Sequence, residues 1–190
     1  LSGGKGWRPV LAQSVALVNF REFSERYPFY CGPDTTLDAL PSYPTEVMTN
    51  LFLSGKGPAK EARVFEHLGI THVVNCASFT EPNHFEGKGI HYLRLNIMDS
   101  EDQNLTEAFQ HALPFIAEAR AAGGKVLVHC NQGRNRSAAV LVAHLISKNA
   151  EFAGELQTSI AYLRDCRHPA VVLTNQYFLK QLSEWSQQST

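Results

Sequence analysis

The chain has 190 residues and a formal net charge of −1, from 17 Lys and Arg against 18 Asp and Glu. That near-neutrality excludes a protein that holds nucleic acid or an anionic membrane by bulk charge. Hydrophobic residues at 44% and aromatic residues at 10% exclude a disordered chain and suffice for one compact domain with a short extension. The four cysteines, Cys31, Cys76, Cys130 and Cys166, form no CxxC pair and lie at no zinc-ligand spacing. Neither a metal nor a disulfide staple is expected, and a reducing compartment is. The longest apolar run, Ala138 to Ile146, is interrupted by His144 and is far too short to span a bilayer. The N-terminus carries no basic-then-apolar signal pattern. The expectation is a soluble chain of the cytoplasm, with the nucleus a further location.

Residues 1–43 read as an N-terminal extension and linker, and 44–190 as the domain. Ser14 to Tyr27 carries an imperfect apolar stripe of Val15, Val18, Phe20, Phe23 and Tyr27, fitting a short strand or helix. Pro28, Gly32-Pro33, Pro41 and Pro44 then break the chain repeatedly, as in a segment crossing the surface. From Glu46 onward the pattern is regular. Leu51-Phe52-Leu53 is a short apolar strand. Gly57-Pro58 opens a helix that Gly69 closes. Thr71 to Cys76 is β-branched and reads as a buried strand, and Ile90 to Leu95 as another. Asn104-Leu105-Thr106-Glu107 resembles a capping box and starts a helix running to Gly123-Gly124. Lys125 to His129 is a compact apolar strand. A helix follows from about Arg136, then two more around 152–166 and 175–187. Strands alternating with helices predict an α/β fold with a central, mostly parallel twisted sheet flanked by helices.

One segment carries chemistry: His129-Cys130-Asn131-Gln132-Gly133-Arg134-Asn135-Arg136-Ser137. It joins a strand to a helix. A loop in that place aims several backbone N–H groups at one spot, and the helix N-terminus adds its positive dipole end. Gly133 lets the loop curl. Arg136, six residues after Cys130, presents a planar fork suited to two oxygens of a phosphate. The same amides and arginine that hold phosphate stabilise a thiolate, so Cys130 is expected to be acidified and placed for in-line attack. Ser137 can donate a hydrogen bond to that sulfur. His129 fits a brace beneath the loop better than a base.

The segment HCNQGRNRS fits the HCxxGxxR[ST] signature of protein tyrosine and dual-specificity phosphatases. LFLSG, GITHVVN, the acidic segment at 99–102 and LTNQYFLKQLSEW resemble, in order, further landmarks of a dual-specificity phosphatase domain over about residues 44–187. The likeness is to the catalytic domain of MAP kinase phosphatases and to their STYX-like relative. In those proteins a rhodanese-like domain precedes the catalytic one, and its last helix resembles NFREFSERYP here, so residues 14–30 are expected to be the tail of such a domain. The resemblance implies phosphoprotein substrates, MAP kinases among them, and no metal or cofactor.

Ester cleavage also needs a proton for the leaving oxygen, which a carboxylic acid supplies. Asp99, Glu101 and Asp102 lie in one polar stretch. In the family the acid directly follows an apolar-rich strand, which selects Asp99 after Asn96-Ile97-Met98, with Asp102 second. Asn175 matches an Asn that the family places near the loop, where it can fix the loop's shape; a helix N-cap is the simpler account. Asn131, Gln132, Gly133, Arg134 and Asn135 complete the phosphate-binding loop. Arg134 adds charge at the rim, and Asn135 departs from the family's usual Ser at a position expected to supply mainly a backbone amide. Cys76, on a strand beside the loop strand, is a candidate disulfide partner for an oxidised Cys130, although a small buried core residue is the simpler reading. Two functions compete: an active phosphatase forming a cysteinyl-phosphate, and a phosphoprotein-binding pseudophosphatase. A phosphoinositide or RNA 5′-phosphate substrate is disfavoured, because only Arg134 adds to the loop's basic residues.

Overall fold

The structure is a computed structural model, and it describes residues 43–147, 155–167 and 172–188. The expectations for residues 14–30 and for Cys31, and all but the last two residues of the linker expected at 28–44, lie outside the described residues.

Five strands form one sheet in the order β1-β2-β5-β3-β4. They are β1 (Thr45–Met48), β2 (Leu51–Ser54), β3 (His72–Asn75), β4 (His91–Arg94) and β5 (Val126–His129). β2, β5, β3 and β4 run parallel, and β1 joins the edge antiparallel to β2. The mostly parallel sheet is as the alternating pattern predicts. β1 had no sequence signal of its own. It is half of a tight hairpin, closed by Asn50 in the left-handed region at φ 63° and by the Glu46 carboxylate accepting the Asn50 N–H at 2.9 Å.

The sheet's two faces sort the strand residues by parity, as a period of two requires. Leu51, Leu53, Val74, Val126 and Val128 face the main core, while Phe52, Val73 and Leu127 face a smaller cluster with Phe65 and Phe85. Among the described residues six helices flank the sheet: α1 (Lys56–Ala59), α2 (Ala62–Leu68), α3 (Thr106–Ala121), α4 (Arg136–Ile146), α5 (Leu156–Arg167) and α6 (Gln176–Gln188). The single helix expected from Gly57 to Gly69 is two. The Lys60 and Glu61 N–H groups fold back onto the Gly57 and Pro58 carbonyls at 3.2 Å each, tightening α1 into one turn. Glu61 then goes extended and α2 starts afresh. Gly69 closes α2 at φ 67°, as expected. At the start of α3 the Asn104 side chain accepts the Thr106 N–H at 2.8 Å. Glu107 does not complete the box, and sits instead 3.9 Å from His111.

From Ser137 to Ile146 every residue of α4 is buried. A helix apolar on all sides must run through a core rather than over it, and α4 packs against β5, α3, α5 and α6. Each leucine or valine it buries contributes roughly 1.5–3 kcal/mol, and among the described helices the one that follows the cysteine loop buries the most residues. In register, Ser54, His129 and Asn75 end their three parallel strands at one edge. The loops that follow them therefore meet, at the carboxyl ends of the strands where parallel sheets place their ligands.

Candidate active site

The loop between β5 and α4 wraps the Cys130 sulfur. Cys130 is 2% exposed. Its Sγ accepts hydrogen bonds from the Gly133 N–H and from the Ser137 hydroxyl, each at 3.2 Å. Burial by itself would push the thiol up. The Ser137 hydroxyl and N–H, the Arg134 N–H and the Arg136 charge outweigh it, and the Cys130 pKa falls below its ordinary value.

Two glycines make that wrap possible. Gly133 has φ 68°, and a Cβ there would stand 2.6 Å from the Ser54 carbonyl carbon and oxygen. A Cβ on Gly55 would meet the Asn131 carbonyl oxygen at 2.9 Å. The loop is thus laid backbone against backbone on the end of β2. Lys56 N–H donates to that same Asn131 carbonyl at 3.0 Å, and the Thr80 hydroxyl donates to the Asn131 side chain at 3.1 Å. Thr80 is held in turn by a turn that the buried Asn75 shapes, its amide bonding Ala77, Glu81 and Asn83. Gly55, Lys56, Thr80 and Asn75 were not among the sequence candidates. LFLSG was legible as a landmark, but its contact with the loop spans more than seventy residues of chain.

A pocket of roughly 170 Å³ opens above the sulfur, lined by Asp99, Cys130, Asn131, Gln132, Arg134, Asn135 and Arg136. Arg136 is half-buried, and its Nη1 donates to the Ile97 carbonyl at 3.4 Å. Its buried Nε has no hydrogen-bond partner among the described residues. A buried donor beside a pocket lined by its own residue suits an anion's oxygen. His129 is buried, and that burial pushes its imidazole down to about 4. It is neutral near pH 7.

Asp99 lines the pocket with the cysteine; Asp102 does not. Glu101 and Asp102 line a separate hollow of roughly 260 Å³ against α6, which holds no cysteine. One Asp99 oxygen, Oδ1, accepts from the Asn175 amide at 2.9 Å. The other, Oδ2, accepts from the Asn135 amide at 3.1 Å. Asn175 also accepts the Tyr177 and Phe178 N–H groups at 3.0 and 3.3 Å, so it caps α6 and touches the acid with opposite ends of one amide. The helix N-cap is as expected, while the side chain reaches Asp99 rather than the loop of residues 130–136. The expectation for Asn135 needs correction: its side chain is engaged, bonding Asp99 and the start of α6, because the loop's last residue faces both. Arg134 lies half-buried at the rim, its carbonyl accepting the Leu173 N–H at 2.8 Å. Cys76 is fully buried at the end of β3, and burial raises its thiol well above the ordinary range. Both Cys76 and Cys130 are free thiols.

The family "Dual specificity phosphatase, catalytic domain" matches residues 51–188. The chain is 40% identical over 111 residues to the dual specificity protein phosphatase PHS1 of Arabidopsis thaliana, covering 54% of this chain and 11% of that one. It is 29% identical over 182 residues to a probable rhodanese domain-containing dual specificity protein phosphatase of Dictyostelium discoideum, covering 90% of this chain and 36% of that one. The chain therefore spans only about a tenth to a third of the length of these relatives. Among solved structures, the human tyrosine phosphatase-like serine/threonine/tyrosine-interacting protein superposes with a TM-score of 0.68 at 29% identity, over 75% of this chain and 95% of that one. A cysteine cradled by backbone amides at the mouth of a parallel sheet, and a match that runs through the sheet and both ends of the site, place this chain in the dual specificity phosphatase family.

Proposed function

We propose that this chain hydrolyses phosphate monoesters of Tyr, Ser and Thr side chains in proteins through a cysteinyl-phosphate. The observation that carries the reading is a hydrogen-bonded, acidified Cys130 facing the same small pocket as Asp99. In the first step the Cys130 thiolate attacks phosphorus while the loop amides and Arg136 hold the non-bridging oxygens. An S–P bond forms and the P–O bond to the side chain breaks. The departing oxygen takes the Asp99 proton. In the second step water attacks phosphorus and gives its proton to the Asp99 carboxylate. The S–P bond breaks, the thiolate returns to the Ser137 hydroxyl, and inorganic phosphate leaves. No part of this sequence calls on a metal or cofactor.

A pocket this small seats the phosphoryl group and leaves the rest of the substrate outside it, which supports tolerance of both aromatic and aliphatic esters. The family resemblance points to MAP kinases as substrates, and to a rhodanese-like neighbour preceding residue 44. The likeness to the human tyrosine phosphatase-like protein supports the second reading, a phosphoprotein binder without turnover. Cys130, Arg136, Ser137 and Asp99 together favour the enzyme, because a binder has no use for the acid.

The test is hydrolysis of a small aryl phosphate and of a doubly phosphorylated Thr/Tyr peptide by wild type and Cys130→Ser. The enzyme reading expects turnover by wild type, none above background by the variant, and a phosphorylated protein trapped by acid quench in wild type alone. Peptide binding without turnover by the wild type establishes the binder instead.

A further inference from the structure

Asn135 is the residue before α4, where an asparagine ordinarily turns its side chain onto its own helix. Here it makes no such cap. Its Nδ2 donates to Asp99 Oδ2 at 3.1 Å. Its Oδ1 accepts the Thr174 N–H at 2.9 Å, the Thr174 hydroxyl at 3.2 Å and the Asn175 N–H at 3.4 Å. One amide thus ties together the end of the phosphate loop, the acid and the segment that starts α6. Asn175 closes the figure by donating to the other Asp99 oxygen at 2.9 Å. The carboxyl is held in a fork with one amide on each oxygen, although Asp99 itself is exposed.

We propose that Asn135 is a positioning residue that locks the Asp99 carboxyl to the phosphate loop, keeping the acid in register with Arg136 one residue further on. This rests on the reading of Cys130 and Asp99 above. The acid is thereby assembled before substrate arrives, rather than carried in on a moving segment. Its service matters in proportion to the basicity of the departing oxygen. As the P–O bond breaks, an acidic phenol leaves unaided as its anion, whereas phenol itself or an alcohol needs the Asp99 proton. Loosening the fork therefore slows basic leaving groups selectively and spares phosphate binding, which the loop's backbone performs.

The experiment measures kcat and KM on aryl phosphates of graded leaving-group basicity. The proteins are wild type, Asn135→Ser and Asn135→Leu, each with and without Asp99→Asn, with melting temperatures taken alongside. Asn135→Leu keeps the bulk of the side chain and adds no charge while removing the donor to Asp99, so it reports even where the smaller side chain unsettles the loop. The expected result is a fall in kcat/KM, which reports the steps up to P–O cleavage, of about tenfold on phenyl phosphate and under about twofold on a nitrophenyl phosphate. KM is expected to hold, and no further loss is expected once Asp99 is Asn. An equal loss across all leaving groups, or a loss that persists undiminished beside Asp99→Asn, overturns the proposal and leaves Asn135 a loop-shaping residue. Wild type that turns over none of the substrates overturns both this and the reading it rests on.

Discussion

The floor and the side wall of the pocket are built in opposite ways. The floor, residues 130–137, is one contiguous stretch whose polar work is done mostly by backbone N–H groups, pressed against another backbone at Ser54 and Gly55. The wall, around Asp99, is an exposed carboxyl held by side-chain amides that arrive from 36 and 76 residues away. A floor of this kind gives every substrate the same grip. A wall of this kind is separately adjustable, and it touches only the proton transfers.

Mutations test that division. Asp99→Ala is expected to lower kcat/KM on phenyl phosphate or a phosphothreonine peptide by about 10²- to 10⁴-fold, with a much smaller loss on nitrophenyl phosphate; equal losses on both would erase the distinction between wall and floor. Gly133→Ala must find room for a Cβ 2.6 Å from Ser54. It is expected to cost about 10²-fold in kcat/KM on every substrate alike, through a misplaced loop, and to lower the melting temperature. Ser137→Ala removes a lowering influence on Cys130. The thiolate is the nucleophile, so activity falls as pH drops through the Cys130 pKa. The variant's acidic limb in a kcat/KM–pH profile is expected to move to higher pH, and a limb that stays in place would show that the hydroxyl does not stabilise the thiolate.

The smallest effect concerns the helix that anchors the floor. His144 is 2% exposed on α4, neither ring nitrogen has a hydrogen-bond partner among the described residues, and burial pushes it down to about 4. Its folded pKa lies below the unfolded value of 6.5, so the unfolded chain takes up the proton first. Stability is then unaffected above about pH 6.5 and declines as pH falls from there towards 4, by up to about 3 kcal/mol from this residue. His144→Leu is expected to flatten the denaturation midpoint over that window while leaving the leaving-group dependence of kcat unchanged.

The same division explains what could be read in advance. The floor was legible because its chemistry is local. A strand, a cysteine, a glycine, an arginine and a serine at fixed spacing describe a loop that can close in one way, and Gly133 and Ser137 bond the Cys130 sulfur while Arg136 lines the pocket with it. Four parallel strands and the buried α4 were legible from their apolar patterns. Asp99 was legible only through resemblance, since three carboxylates lie within four residues and only a folded chain sends Glu101 and Asp102 to a different hollow. The Asn135 side chain was missed because its partners are far away in sequence, and an asparagine at a helix start already has an adequate local explanation. The break between α1 and α2 was missed because it depends on two carbonyls being reclaimed from behind, for which neither Lys60 nor Glu61 carries a propensity signal.

The two glycines under the floor bear on how this pocket could be redesigned. Where main chain lies against main chain, no side chain exists to be enlarged, shrunk or recharged. A library randomised across the site would therefore split sharply. Positions 55 and 133 would return parental codons or dead clones, with few intermediates. Graded changes in preference would come from the rim, at Gln132 and Arg134, so a selection for altered specificity is best confined there.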